Sequence, residues 1–218
     1  MKKESNIILR QMGLGPMENF IYFIGDAQTK EIAVIDPAWD VDFLCDEAKK
    51  NGYKITAIFL THGHPDHTNG VAEMVDRLKV PVYISKHELG ILKPRVKNLI
   101  EVDDRAKLKT GNIEWECLHT PGHSPGCHLF KHDEALIAGD TLFIDGCGRC
   151  DLPGSDPKKQ YHSLYNVIMK LPDSTVIYPG HNYGPTPFAT LASQKKTNPY
   201  LTCKTLEEFL VTRMGVAY

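Results

Sequence analysis

His62, His64, Asp66 and His67 all lie within Thr61-His-Gly-His-Pro-Asp-His67, directly behind the apolar run Ile55-Thr-Ala-Ile-Phe-Leu60. A short run rich in β-branched and aromatic residues predicts a buried strand. The fold must therefore end a core strand in a turn containing Gly63 and Pro65, where a rigid strand end can aim several side chains at once. The same grammar recurs. His123 lies in Pro121-Gly-His-Ser-Pro-Gly126, Asp140 in Gly139-Asp-Thr141 and His181 in Pro179-Gly-His-Asn-Tyr-Gly184, each behind a strand-like run and flanked by turn formers. Imidazole and carboxylate together are the ligand set for zinc, iron or manganese, and crowding them on strand ends makes sense mainly around a cation. A single histidine is more often a surface or packing residue. His87, His119, His128, His132 and His162 lack the strand-and-turn setting and are assigned to those roles.

Periodicity places elements around these loops. Asn19 to Ile24 and Glu31 to Ile35 read as paired strands about a Gly25-Asp26 turn, Val41 to Asn51 as a helix ended by Gly52, Val71 to Leu78 as a helix and Val80 to Ile84 as a strand. The second half supplies strands at Ile113 to Leu118, Cys127 to Lys131, Ala135 to Ala138 and Thr175 to Tyr178. Its helices fall at Lys158 to Lys170, Phe188 to Lys196 and Leu206 to Met214. The polar segment Lys93 to Arg105 reads as a linker. Strands in both halves with helices between them predict an α/β chain of the α+β kind: two mixed β-sheets face to face, covered by helices, a four-layer αββα sandwich. At 218 residues, one domain spanning 1–218 is expected.

Hydrophobic residues at 42% and charged residues at 24% match ordinary globular chains, which argues against disorder. The formal charge of -2, with Lys and Arg dispersed, offers no footprint for nucleic acid or an anionic membrane. A small-molecule substrate is expected, and a homodimer is compatible with these numbers. Ile7-Ile8-Leu9 is too brief for a secretory core and no run reaches spanning length, so the chain is placed in the cytoplasm and its six cysteines are read as reduced thiols. Cys147-Gly-Arg-Cys150 has CxxC spacing but no thioredoxin-like context, and is assigned to loop packing. Asp36, at a strand end, is a candidate to hold a ligand histidine from behind or to cap the next turn. Lys93, Arg95 and Lys97 form a charge run that either greets an anion or is simply solvated.

Thr61-His-Gly-His-Pro-Asp-His67 with His123, Asp140 and His181 downstream resembles the metallo-β-lactamase superfamily over roughly residues 18 to 200. The resemblance implies the αββα fold and two divalent metal ions, zinc first, with iron or manganese as alternatives. By position, His62, His64 and His123 would hold the first ion, Asp66, His67 and His181 the second, and Asp140 would bridge them. Lactam-hydrolysing members usually carry cysteine where Asp140 stands, which disfavours antibiotic hydrolysis. Gly139-Asp-Thr-Leu-Phe143, Gly146-Cys-Gly-Arg149 and His181-Asn-Tyr183 resemble glyoxalase II, a thioesterase. Gly146-Cys-Gly-Arg149 again, with Tyr178-Pro-Gly-His181 and Asn198-Pro199, resembles persulfide dioxygenases. The first likeness implies hydrolysis of a thioester or ester by water acidified on the metals, with Asp66 or Asp140 fixing that water. Arg149 and Tyr183, next to ligand loops, are the candidates to contact substrate, the alternative for Arg149 being to tie down backbone carbonyls. The second implies one iron on His62, His123 and Asp140. A non-catalytic metal-binding domain is the reading from outside enzymology.

Overall fold

The computed structural model describes residues 6–88, 90, 96 and 98–215. The run Lys93, Arg95 and Lys97 lies outside these. One six-stranded sheet is built in chain order from β1 (Ile7–Leu14), β2 (Asn19–Asp26), β3 (Glu31–Ile35), β4 (Lys54–Phe59), β5 (Val82–Ser85) and β6 (Leu99–Val102). The second contains β7 (Lys107–Thr110), β8 (Ile113–His119), β9 (His128–His132), β10 (Ala135–Gly139), β11 (Val176–Pro179) and β12 (Ala189–Thr190), again neighbour to neighbour. Each half of the chain thus makes its own mixed sheet. β1, β2 and β3 pair antiparallel, and β3 to β6 are parallel. In the second sheet only β10 and β11 are parallel neighbours, so β8, β10 and β11 all run the same way.

Three apolar layers separate four structural ones. Along β2, Phe20, Tyr22 and Ile24 point between the sheets, where Trp115, Phe130 and Ile137 meet them, while Ile21 and Phe23 point to the outer layer. That outer layer is covered by α1 (Val41–Lys50) and α3 (Val71–Leu78), through Val41, Leu44, Val71, Met74 and Val75. Leu129, Leu136 and Ala138 face the opposite outer layer, with Leu164, Leu191, Phe209 and Leu210 of α4 (Pro157–Asn166), α5 (Leu191–Thr197) and α6 (Leu206–Met214). Because side chains alternate across a strand, a strand buried on both faces reads as a continuous apolar run. Each large side chain so buried stabilises by about 1.5–3 kcal/mol relative to exposure. The αββα expectation holds.

The segment read as a linker contains β6, and β1, β7 and β12 are further strands that periodicity did not reveal. All four are sheet edges. An edge strand pairs on one side only and tolerates polar residues such as Arg10 and Gln11, so its apolar signature is broken. The helix expected over Lys158 to Lys170 ends at Asn166 and gives way to a 3₁₀ turn, Ile168–Lys170. His64 to Thr68 is more ordered than a turn: Pro65–Thr68 forms one helical turn, α2, with proline at its start. All six cysteines are unpaired. Among the described residues no helix is long and apolar enough to cross a membrane.

Candidate metal centre

β3, β4, β8, β10 and β11 deliver Asp36, the His62 to His67 segment, His123, Asp140 and His181 just beyond their carboxyl ends. Ligand sites in α/β sheets characteristically lie outside that end of the strands. Here the two sheets are stitched together at the same place. The Phe20 amide donates to Gly180 O (2.8 Å), His128 N to Thr61 O (2.8 Å) and Asn182 N to Glu18 O (2.8 Å). The Tyr22 hydroxyl donates to Pro179 O.

All seven sequence-derived ligand candidates converge. Donor atoms of His62, His64 and His123 lie within 4.8 Å of one another, as do those of Asp66, His67 and His181. Asp140 stands between the groups: Oδ2 is 3.5 Å from His123 Nε2 and 3.3 Å from His181 Nε2, and Oδ1 is 3.3 Å from His67 Nε2. Asp66 Oδ2 lies 3.4 Å from His67 Nε2 and 3.3 Å from His181 Nε2.

In four of the five histidines, His62, His67, His123 and His181, the ring nitrogen facing away from the centre is tied down. His123 Nδ1 donates to Arg149 O (2.8 Å) and His181 Nδ1 to Met17 O (2.8 Å). His67 Nδ1 donates to Asp36 Oδ2 (3.0 Å). The Thr61 hydroxyl donates to that same oxygen (2.6 Å), so its lone pair is left to accept from His62 Nδ1 (3.0 Å). Asp36 Oδ1 accepts the Thr61 amide (2.8 Å). Asp36, His62 and His67 form a third close group, but with its oxygens engaged this way Asp36 orients histidines from behind. The hydrogen-bond role expected of Asp36 is the observed one.

Fixing Nδ1 as the donor leaves a lone pair on each Nε2. His62 Nε2 and His64 Nδ1 are 3.0 Å apart, His64 Nδ1 and His123 Nε2 2.9 Å, and His67 Nε2 and His181 Nε2 3.2 Å. For His67 and His181, whose Nδ1 atoms both donate elsewhere, facing lone pairs at 3.2 Å repel unless positive charge lies between them. Asp140 Oδ1 is buried with no hydrogen-bond partner among the described residues, which is costly without a cation to receive it. The donor set, with imidazoles and carboxylates interleaved, fits divalent zinc, iron or manganese.

Electrostatics agree. Burial, then the neighbouring His67, holds His62 well below the ordinary imidazole range, and burial with His123 pushes His64 down to about 4. Burial also works against charge on His67 and His181. Asp140, Asp36 and Asp66 outweigh it and lift His67 well above its usual range, while Asp140 and Asp66 lift His181 to about 9. Burial opposes ionisation of Asp140 and Asp66, but the adjacent histidines hold both below the carboxylate range. Protons on His67 and His181 thus occupy the electrostatic role a cation would take.

The glycines of the turn grammar have steric reasons. A Cβ on Gly180 would sit 2.3 Å from Asp140 Oδ1, and one on Gly148 2.0 Å from Asp140 O. Other supports had no signal in sequence. Trp39 Nε1 donates to Asn19 Oδ1 (2.9 Å), and Asn19 Nδ2 reaches Asp66 O (3.0 Å) and Oδ2 (3.2 Å). Buried Gln160 accepts from His123 N (3.0 Å) and donates to Thr141 O (2.7 Å), clamping two ligand loops. Buried Glu88 Oε1 receives Gly126 N (2.7 Å) and the Ser124 hydroxyl (2.5 Å), bracing the His123 loop.

The donors open into a cleft of about 700 Å³ whose walls include Met17, Phe143, Leu152, Tyr183, Arg149 and Arg213. A hollow of about 740 Å³ beside Ile7, Ile113 and Glu134 is as large but holds none of the converged donors. Both residues expected to contact substrate line the cleft. Tyr183, 55% exposed, stacks on His181 (centroids 4.6 Å, planes 7° apart). Arg149 closes a two-pronged pair on Asp151 (2.7 and 2.8 Å). Cys147 and Cys150 are buried, in keeping with a packing role.

Comparison with known proteins agrees with this geometry. The sequence profile of the Metallo-beta-lactamase superfamily matches residues 14–181. The probable polyketide biosynthesis zinc-dependent hydrolase PksB of Bacillus subtilis is 32% identical, over 89% of this chain and 87% of its own. The mouse mitochondrial persulfide dioxygenase ETHE1 is 30% identical over 94% and 79%. A hydroxyacylglutathione hydrolase from Polaromonas is 38% identical over 76% and 62%. The crystal structure of ETHE1 from Myxococcus xanthus superposes with a TM-score of 0.87 at 28% identity, covering 96% of this chain and 92% of that one. The chain belongs to the metallo-beta-lactamase superfamily.

Proposed function

We propose that this protein is a two-metal hydrolase of small thioesters or esters. His62, His64 and His123 would hold one ion, Asp66, His67 and His181 the other, with Asp140 shared. The observation that carries the reading is the position of Asp140, within 3.5 Å of nitrogens from both histidine groups and with a buried oxygen lacking a hydrogen-bond partner among the described residues. When bound, divalent cations lower the pKa of water from 15.7 toward about 7 and polarise a carbonyl oxygen. Asp66 and Asp140 line the cleft and serve to orient the attacking water and to take its proton. The wall of Met17, Phe143, Leu152 and Tyr183 suits an apolar acyl group. A thiol, with an ordinary pKa of about 8.5, leaves as thiolate without a strong acid, which suits a thioester.

A second reading, a mononuclear iron persulfide dioxygenase using His62, His123 and Asp140, is favoured by the likeness to ETHE1. Elemental analysis of purified protein, with a screen of thioesters, esters and glutathione persulfide, separates the two. Two ions per chain with thioester cleavage, both lost in His62→Ala and Asp140→Ala, are expected. One iron with oxygen uptake on persulfide overturns hydrolysis in favour of the second reading. Thioester cleavage surviving in a metal-free variant overturns both.

A further inference from the structure

The three candidate ligands of the second ion are held from two short segments of the chain. His67 Nδ1 donates to Asp36 Oδ2, His181 Nδ1 to Met17 O, and the Asp66 carboxylate receives the side-chain amide of Asn19 (3.2 Å). Met17 lies in the turn before β2, whose first residue is Asn19, and Asp36 and Trp39 lie in the loop behind β3. Trp39 joins the two segments. A Cβ on Gly15 would sit 2.3 Å from its indole Cδ1, and its Nε1 donates to Asn19 Oδ1 (2.9 Å). An indole N–H only donates, so it fixes Oδ1 as the end of the amide that faces Trp39. The NH2 group of Asn19, a side chain 2% exposed, is thereby turned onto Asp66 O (3.0 Å) and Oδ2.

Asp66 stands on the single helical turn α2 with its side chain 18% exposed, where a short carboxylate is otherwise free to rotate toward solvent. Among the described residues, Asn19 is the one hydrogen-bond donor to that carboxylate that is not itself a candidate ligand. The oxygen it holds, Oδ2, is the one 3.4 Å from His67 Nε2 and 3.3 Å from His181 Nε2. A lysine or arginine would hold the carboxylate as well, but its charge would compete with a metal ion for it. A neutral amide aims the ligand and leaves its charge for the cation. Neither Asn19 nor Trp39 hydrogen-bonds to His62, His64 or His123.

Resting on the two-metal reading, we propose that Asn19, aimed by Trp39, is a positioning residue that fixes Asp66 as a ligand and so decides whether the second ion is retained. Zinc competition against a chromophoric chelator, on the whole chain stripped of metal, gives the two dissociation constants. His181→Ala, which removes a ligand of the second ion alone, shows which constant belongs to it. Asn19→Ala is expected to weaken that ion by about 10- to 100-fold and to change the other by less than about threefold. Trp39→Phe, which keeps a ring against Gly15, is expected to weaken the same ion by about 3- to 10-fold, the worth of one neutral hydrogen bond. The combined variant is expected to match Asn19→Ala within about twofold, because Trp39 acts through the amide.

A second-ion affinity within about twofold of wild type in Asn19→Ala or in Trp39→Phe overturns the proposal. So does equal weakening of both ions, the mark of a structural role, or multiplication of the two factors in the combined variant, the mark of independent action. Thermal melts of each metal-free variant confirm folding. A wild type that takes up one zinc removes the two-metal reading and the proposal with it, whereas two zincs indifferent to Asn19 remove the proposal alone.

Discussion

Replacing Asp36 by Asn tests whether the metal centre depends on tautomers set from behind. Asp36 adopts φ 51°, a left-handed conformation that asparagine tolerates as well as aspartate, so the exchange leaves the backbone unstrained. In the native protein Oδ2 accepts from both the Thr61 hydroxyl (2.6 Å) and His67 Nδ1 (3.0 Å). An amide can present only one oxygen. If that oxygen keeps the Thr61 amide, an NH2 group faces His67 Nδ1, and the imidazole must move its proton to Nε2, the nitrogen aimed at Asp66, Asp140 and His181. Outer partners of this kind change metal affinity by about 10- to 100-fold, equivalent to roughly 1.4–2.7 kcal/mol. Zinc titration against a chromophoric chelator reads the effect. The second ion is expected to weaken by that factor while the first, on His62, His64 and His123, weakens less, because Asp36 reaches His62 only through Thr61. Zinc affinities within twofold of wild type for both ions would refute the reasoning.

Gly180→Ala places a methyl 2.3 Å from Asp140 Oδ1 and 3.1 Å from His67 Cε1, so the protein is expected to fold but to retain about one zinc per chain instead of two in elemental analysis. His128 is buried at 2% exposure, donates Nδ1 to Gly126 O (3.0 Å), has no partner for Nε2 among the described residues, and is pushed down to about 4 by burial. Its folded pKa lies below the unfolded value of about 6.5, so its contribution to stability is complete above pH 6.5 and is lost as pH falls from there through about 4, by up to about 3 kcal/mol. Urea unfolding of metal-free protein at stepped pH is expected to show that decline in the wild type, and a shallower one in His128→Asn.

The interior of the fold was legible because its strands are apolar on both faces: Asn19 to Ile24, Ile55 to Leu60 and Ala135 to Ala138 announce themselves as runs. The edges were not, since β1, β6, β7 and β12 owe their strand form to a neighbour's hydrogen bonds more than to their own side chains. At the site, the repeated pairing of a strand end with a glycine turn pointed to the seven side chains that converge, because both the aiming and the close approach leave marks on local sequence. Asn19, Trp39, Glu88, Gln160 and Arg213 leave none. Asn19 reaches Asp66 across 47 positions, and Arg213 reaches Gly148 across 65, through the packing of whole layers. The partner used by Arg149 was equally hidden: a loop arginine gives no hint that Asp151 two residues on closes its fork.

The central claim is that seven side chains surround two cations sharing Asp140. Crystals of the zinc-loaded protein, with anomalous data collected across the zinc edge, measure it directly. Two peaks are expected, each about 2.0–2.2 Å from its ligands, one among His62, His64 and His123, the other among Asp66, His67 and His181, with Asp140 touching both. A lone peak, or zinc bound anywhere without Asp140, would contradict the account.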